Sequence, residues 1–277
     1  MYGQRRAAKS PPNHLSAYRN MTFSEQINDA VELLQQARYT VAFTGAGIST
    51  PSGIPDFRSH NSGLWENVDP LVVASLYGFR QNPQAFYNWI YPLVRLTMNA
   101  KPNPAHIALA TLEAQGRLQA IITQNIDILH TRAGNTCVYE LHGHMREATC
   151  VHCFTVYPAE PIIRQFLEDR QVPHCPKCGG VIKPNVILFG EQLPIRELQA
   201  AKEAARNADL MLVIGSSLEV APAGDLPSLA VKNGAKLIVV NIEPTLMDSQ
   251  AQVVIHADAA EVLPAIMERL EARIHES

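Results

Sequence analysis

The chain has 277 residues, 47% of them hydrophobic and 18% charged, and a net charge of −3. Those values suit one large α/β domain, or one domain carrying a smaller insertion. They exclude a global positive field that would drive nucleic-acid or membrane binding, and no apolar run is long enough to span a bilayer.

Residues 1–20 carry Arg5, Arg6, Lys9 and Arg19 with no acid and no apolar secretion core. A disordered tail is the expectation here, ahead of a transit peptide. Thr22-x-x-Glu25 reads as a capping box opening a helix with Ile27, Val31 and Leu34 on one face. Thr40–Phe43 reads as a buried strand. The segment TGAGISTPSGIPDFR, residues 44–58, follows it. Gly45 and Gly47 permit a tight turn and close backbone approach to a ligand, and the residues after them could open a helix suited to a phosphate. Pro51, Gly53 and Pro55 stiffen the rest of the loop, which bears Asp56, Phe57 and Arg58. A dinucleotide fingerprint needs G-x-G-x-x-G and an acid about 20 residues on. Thr50 takes the third glycine's place, and Glu66 and Asp69 lie in no strand pattern. Alone, the glycines fit a tight turn in any α/β protein equally well.

Residues 59–104, rich in proline and aromatics, fit neither period and suggest a helical insertion. Gln119–Thr123, Leu210–Ile214 and Lys236–Val240 are apolar runs without alternation, as in a parallel sheet covered on both faces. Helical patterns lie between and after them, at His106–Gln115, Ile195–Asn207 and Glu261–Arg273. This alternation predicts an α/β fold with a doubly wound parallel sheet. In such sheets ligands bind beyond the carboxyl ends of the strands. Four strand ends lead into small or hydrogen-bonding residues: Thr44–Arg58, Gln124–Asp127, Gly215–Ser217 and Asn241–Glu243. Together they predict one long crevice.

Cys150-x-x-Cys153 and Cys175-x-x-Cys178 are separated by a spacer, residues 154–174, that a hairpin or helix can fill. Two such pairs favour one tetrahedral zinc over a redox site. Four thiolates leave no open position, so the zinc is expected to be structural. His152 and His174 are expected to be solvated loop residues, and Cys137 a small buried one. His142, in YELHGH before the first cysteine pair, is a candidate general base at the crevice mouth, with His144 the alternative. Gly143 is expected to let a ligand come close, and His106, inside a helical run, to be packed or to support another site residue.

These residues together resemble the sirtuins of prokaryotic type, NAD-dependent protein-lysine deacylases. The resemblance runs from about Phe23 to Leu270 and rests on motifs in family order. They are GAGIS, GIPDFR, TQNID, His142-Gly143, the two cysteine pairs, the segment Lys183–Glu191 with VILFGE, Gly215-Ser-Ser and Asn241-Ile-Glu-Pro-Thr. It implies a Rossmann-like NAD-binding domain formed by residues 21–58, 105–145 and 184–277. It implies also a small domain built of a helical module, 59–104, and a zinc-ribbon module, 146–183. His142 and Asn125 would be catalytic. Gly45, Ala46, Thr50, Asp56, Phe57, Arg58, Gln124, Ile126, Asp127, Gly215, Ser216, Ser217, Asn241, Glu243, Asp258 and Ala259 would line the NAD site. Cys150, Cys153, Cys175 and Cys178 would hold one Zn²⁺. Val186, Ile187 and Phe189 would pair with the substrate peptide as an added strand.

The implied reaction cleaves NAD and moves the acyl group of an acyl-lysine protein to ADP-ribose. Its products are nicotinamide, 2′-O-acetyl-ADP-ribose and free lysine. Phe57 would shield a cationic centre, Asp127 with Ile126 would hold the carboxamide, and His142 would take a ribose hydroxyl proton. Members preferring succinyl or malonyl lysine carry Tyr-x-x-Arg in the helical module. Here Tyr87 is followed by Ile90, which cannot make the bidentate contact to a carboxylate, so acetyl-lysine or a longer apolar acyl-lysine is expected. A mono-ADP-ribosyltransferase, a non-catalytic NAD sensor and a bare NAD hydrolase are the competing readings. No nucleic-acid or membrane partner is expected, and the location implied is cytoplasmic.

Overall fold

The computed structural model describes residues 21–56 and 69–275. The N-terminal tail, Phe57, Arg58 and the first ten residues of the 59–104 segment lie outside the described residues. Among the described residues nine strands are present: β1 (Thr40–Thr44), β2 (Ala120–Thr123), β3 (Val138–Glu140), β4 (Gly143–Cys150), β5 (Val156–Pro158), β6 (Ile182–Val186), β7 (Leu210–Ile214), β8 (Lys236–Val240) and β9 (Val253–Ile255).

Six of them form one parallel sheet in the order β3-β2-β1-β7-β8-β9. β1 lies between β2 and β7, with Ala42 opposite Ile121 on one side and Leu212 on the other. All five residues of β1 and of β7 are buried. The continuous apolar runs have this cause: successive side chains point to opposite faces, and helices cover both. On one face Ala42, Leu212 and Ile238 pack with Val31, Leu109 and Ile266, from the helices Phe23–Gln36, Pro104–Ala114 and Ala259–His275. On the other, Phe43, Val213 and Val239 pack with Ala204 and Leu226, from Ile195–Asn207 and Leu226–Lys232. The first helix has its expected start. Glu25 N–H donates to Thr22 Oγ1 at 3.3 Å, and Thr22 N–H donates to Glu25 Oε2 at 2.7 Å. β3 and β9, three residues each at the sheet margins, carry too short a pattern to be read from sequence.

The other three strands form an antiparallel sheet, β5-β4-β6. It shares a third core with the helices Leu76–Gln81, Pro83–Asn99 and Ala159–Asp169. Aromatic rings meet edge-on there: Phe79–Phe86 at 5.1 Å and Tyr87–Phe166 at 4.9 Å between centroids. The spacer between the cysteine pairs holds both β5 and a helix. This sheet also reaches beyond the 146–183 module. Gly143 pairs with Val186 across a register shift, so β4 begins and β6 ends outside those bounds. Among the described residues, no helix is long and apolar enough to cross a membrane.

Candidate active site

The parallel sheet sends the loops after β2, β1, β7 and β8 to the same edge, side by side. They are fastened along their backbones. Gly45 N–H donates to Ile214 O at 3.0 Å, Gly47 N–H to Gly215 O at 2.9 Å, and Gln124 N–H to Thr44 O at 3.0 Å. Gly215 has φ +60°, and a Cβ on it would lie 2.3 Å from Ile48 N. The contact between the loops after β1 and β7 therefore requires glycine. The expected helix after the glycine turn is absent. Residues Ala46–Ile48 and Thr50–Ser52 form two 3₁₀ turns instead, the second ended by Gly53 in the left-handed region. Asn103 holds both turns, its Nδ2 donating to Ile48 O at 2.7 Å and to Ser52 Oγ at 3.0 Å. Asp56 is half-buried at the end of the described loop.

The Gln124–Asp127 loop meets this one through side chains. Asn125 Nδ2 donates to Gly45 O at 3.0 Å and to Ser49 Oγ at 3.2 Å. Ser49 Oγ donates in turn to Asp127 Oδ2 at 2.7 Å, and Gln124 Nε2 donates to Ser216 Oγ at 2.9 Å. Asp127 is buried, and burial raises its carboxyl above the usual range, against the opposing effect of the Leu129 N–H and Ser49 bonds. Ile126 is half-buried, its carbonyl accepting from Met145 N–H at 3.2 Å.

His142 lies between β3 and β4. Its Nδ1 is 3.0 Å from Gln124 O. A carbonyl can only accept, so Nδ1 carries the proton and Nε2 presents a lone pair. Burial pushes the imidazole below its ordinary pKa, partly offset by the bond to Gln124. It is therefore neutral near pH 7, as a general base must be. The segment is held on both sides. Ile187 N–H donates to His142 O at 2.9 Å, and Arg146 grips Glu140 with both guanidinium nitrogens, one at 2.6 Å. Gly143 does not make room for a ligand. Its φ is +75°, and a Cβ would lie 2.0 Å from Asn185 O, so it is β6 that comes close. His144 lines a groove of about 460 Å³ with Glu140, Arg146, Lys183 and Glu197, which His142 does not line. His106 is fully buried, as expected of a packed residue.

The remaining site residues are spread along the same edge. Ser216 is buried and Ser217 exposed. Asn241 Nδ2 donates to Glu243 O at 2.6 Å, with Glu243 exposed. Asp258 Oδ1 accepts from Ala260 N–H at 2.8 Å at the start of the last helix, beside buried Ala259. At the peptide segment the backbone is already engaged. Phe189 N–H donates to Ala74 O and Phe189 O accepts from Leu76 N–H, both at 2.9 Å, while Val186 pairs within β6. An added strand would therefore pair on the edge of this segment opposite residues 74–76. Ile187 and Phe189 still offer half-exposed and exposed side chains.

The four cysteine Sγ atoms all lie within 4.8 Å of one another. Cys150–Cys178 is 3.5 Å and Cys153–Cys175 is 3.6 Å. Tetrahedral Zn–S bonds of ~2.3 Å place sulfurs about 3.8 Å apart, so the group fits one zinc. His152 and His174 are exposed beside it, as expected. Cys137 is only half-buried, 3.6 Å from Tyr139 OH.

Several functional contacts were not foreseen: Ser49, Asn103 and the clamp of Glu140 by Arg146. Asn103-x-x-His106 had a legible signal, since it is a helix-capping spacing. The Glu140–Arg146 pair joins β3 to β4 across a reversal that no local period reports.

The Sir2 family model matches residues 45–222. The chain is 47% identical over 248 residues to NAD-dependent protein deacylase 2 of Archaeoglobus fulgidus, covering 89% of this chain and 97% of that protein. It is 43% identical over 243 residues to the NAD-dependent protein deacetylase of Thermotoga maritima, covering 88% and 98%. Among solved structures, a Sir2 complex with p53 peptide and NAD⁺ superposes with a TM-score of 0.81 at 42% identity, covering 91% of this chain and 100% of that one. A Sir2 structure described in terms of mechanism and regulation has a TM-score of 0.84 at 46% identity, covering 90% and 99%.

Proposed function

The chain belongs to the Sir2 family, and from that we infer that it is an NAD-dependent protein-lysine deacetylase. NAD and an acyl-lysine protein are its substrates. The reaction releases nicotinamide and transfers the acyl group to ADP-ribose. The observation that carries this reading is the bond from His142 Nδ1 to Gln124 O, which ties a neutral base to the loop beside the glycine turn.

We assign the residues as follows. Gly45, Ala46, Thr50, Asp56, Phe57 and Arg58 surround the NAD diphosphate and inner ribose. Asn125, Ile126 and buried Asp127 hold the carboxamide end, with Asp127 positioned by Ser49. Gly215, Ser216 and Ser217 face the diphosphate, while Asn241, Glu243, Asp258 and Ala259 face the outer ribose and base. His142 Nε2 accepts a ribose hydroxyl proton, a role worth about 10²–10⁴-fold. Ile187 and Phe189 wall the acyl-lysine with their side chains. The substrates meet in a cleft between a Rossmann-like domain and a smaller one. Zinc, held by Cys150, Cys153, Cys175 and Cys178, supplies structural cross-linking, since four thiolates leave no open position. A cytoplasmic location fits cysteine spacing that suits a metal rather than disulfides.

Tyr87 and Ile90 support acetyl or longer apolar acyl groups. Tyr87 OH donates to Ile182 O at 2.6 Å and Ile90 is buried, so neither offers a partner to a carboxylate. The test is a panel of acyl-lysine peptides with NAD, products identified by mass, using the native protein and His142→Ala. Acetyl-ADP-ribose should form with acetyl-lysine and far more slowly, if at all, with succinyl-lysine. His142→Ala should bind NAD normally and lose about 10²-fold or more in turnover. ADP-ribosylated protein as the main product, or normal turnover by His142→Ala, would overturn the reading.

A further inference from the structure

We propose that His130 is a positioning residue for the general base, acting through a buried line of hydrogen bonds that ends on the Gln124–Asn125 peptide group. The proposal rests on the assignment of His142 as that base.

The line can be followed atom by atom. The Gln124–Asn125 peptide is held at both of its polar atoms. Its carbonyl accepts from His142 Nδ1 at 3.0 Å. Its N–H, on Asn125, donates to Thr123 Oγ1 at 3.1 Å. Thr44 Oγ1 donates to the same hydroxyl at 2.9 Å and lies 2.9 Å from His130 Nε2. Because the Thr44 hydroxyl proton is directed at Thr123, the contact with His130 needs the proton on Nε2 of the ring. His130 Nδ1 is then an acceptor. Behind it lies His106, 4.9 Å away between ring centroids. His106 Nδ1 accepts from Asn103 N–H at 3.4 Å, which puts its proton on Nε2. His106 Nε2 and His130 Nδ1 are both buried and neither has a hydrogen-bond partner, so the line of bonds begins at His130 and does not run on to His106.

All the members, and His106 behind them, are buried: Thr44 and His106 at 0% exposure, Thr123 and His130 at 2%, and Asn125 at 7%. Burial keeps both imidazoles neutral, as the tautomers require. His130, His106, Thr44 and Thr123 face no reactant, and only Asn125, where the line ends, belongs to the proposed NAD site, so a purely structural cluster is the rival explanation. The peptide group decides between them. A peptide plane turns as a unit, so an N–H freed from Thr123 also frees the carbonyl that orients His142. Polar groups in low dielectric stay paired, and a Thr44 oxygen that no longer accepts from His130 loses the bond that fixes its hydroxyl toward Thr123.

The experiment compares His130→Leu with His130→Gln, each with acetyl-lysine peptide and NAD. Gln can return an N–H donor to Thr44. His130→Leu should lose about 10- to 100-fold in kcat, the scale of a slight misplacement of a catalytic group. KM for peptide and for NAD should stay within about three-fold, since neither substrate touches His130. The acid limb of the kcat–pH profile should move to lower pH, because His142 loses the Gln124 bond that raises its pKa. His130→Gln should recover most of kcat and restore the profile. Both variants should show the native circular dichroism spectrum and bind NAD. Unchanged kcat in a folded His130→Leu, or equal loss in both folded variants, would overturn the proposal. A native protein without deacetylase activity would instead overturn the assignment of function on which it rests. Should His130→Leu not fold, Thr44→Val cuts the same line one bond further on. It should give the same kcat loss and profile shift, and normal kcat in that variant overturns the proposal as well.

Discussion

The two sheets of this protein are built on different physical terms. The parallel sheet buries whole strands between two helical layers, and its cores hold Val41, Phe43, Ile121, Val213 and Ile238 at no more than 1% exposure. The antiparallel sheet alternates instead. β6 reads buried, half-buried, buried along its length, and β5 has no fully buried residue. Packing covers the inner side of the small sheet, against aromatic helices, and four sulfurs fasten its far end. The comparison teaches that apolar burial supports the large sheet unaided, whereas the small one needs a cross-link. His142, the proposed general base, sits where the two meet.

Removing the cross-link should separate the two most. Chelation, or Cys150→Ser, should abolish hydrogen-exchange protection in β4, β5 and β6 while leaving β1, β7 and β8 protected. Zinc contributes ~10–16 kcal/mol to folding in isolated zinc-finger peptides, so this is the largest effect expected. Uniform loss of protection in both sheets would break the distinction. A smaller effect belongs to the junction. Gly143→Ala places a methyl against Asn185 O and forces a side-chain residue to positive φ, costing about 1–3 kcal/mol before the clash is counted. Its melting temperature should fall and turnover with it, because His142 is the preceding residue. A variant with native melting would show that β4 and β6 need not approach there.

A third effect lies wholly within the large sheet's surroundings and grows with acidity. Burial holds His106 at about 4, against an ordinary 6.5, and His130 is lowered in the same direction. Between those values the unfolded chain takes up protons that the folded chain refuses, so stability falls as pH drops from about 6.5 toward 4. Each such histidine contributes a slope of about 1.4 kcal/mol per pH unit. His106→Gln should flatten the pH dependence of urea midpoints in that window. An unchanged slope would mean that another group dominates it.

Much of this contrast was legible beforehand. The strands β1, β2, β7 and β8 declare themselves because continuous apolar runs have one physical meaning in an α/β chain. The cysteine quartet declares itself because thiolate spacing carries a coordination geometry. Residues whose partners are distant in sequence did not. Glu140 is fixed by Arg146 across a chain reversal, and His130 by Thr44, which lies on a strand far earlier in the chain. Gly143 was legible as a glycine that matters, yet its reason, strand approach, needed three dimensions. The same holds for Phe189, whose backbone is already bonded to residues 74 and 76.

The strand order has a bearing on synthesis. β1 is central, yet its neighbour β7 begins only at Leu210, after both cysteine pairs. A chain emerging N-terminus first therefore exposes one side of β1 until the entire zinc-binding hairpin has been made. Closing that hairpin early shortens the effective loop that β1 and β7 must close. A zinc module that closes before β7 is made would therefore ease the pairing of β1 with β7 without contributing to that sheet's core.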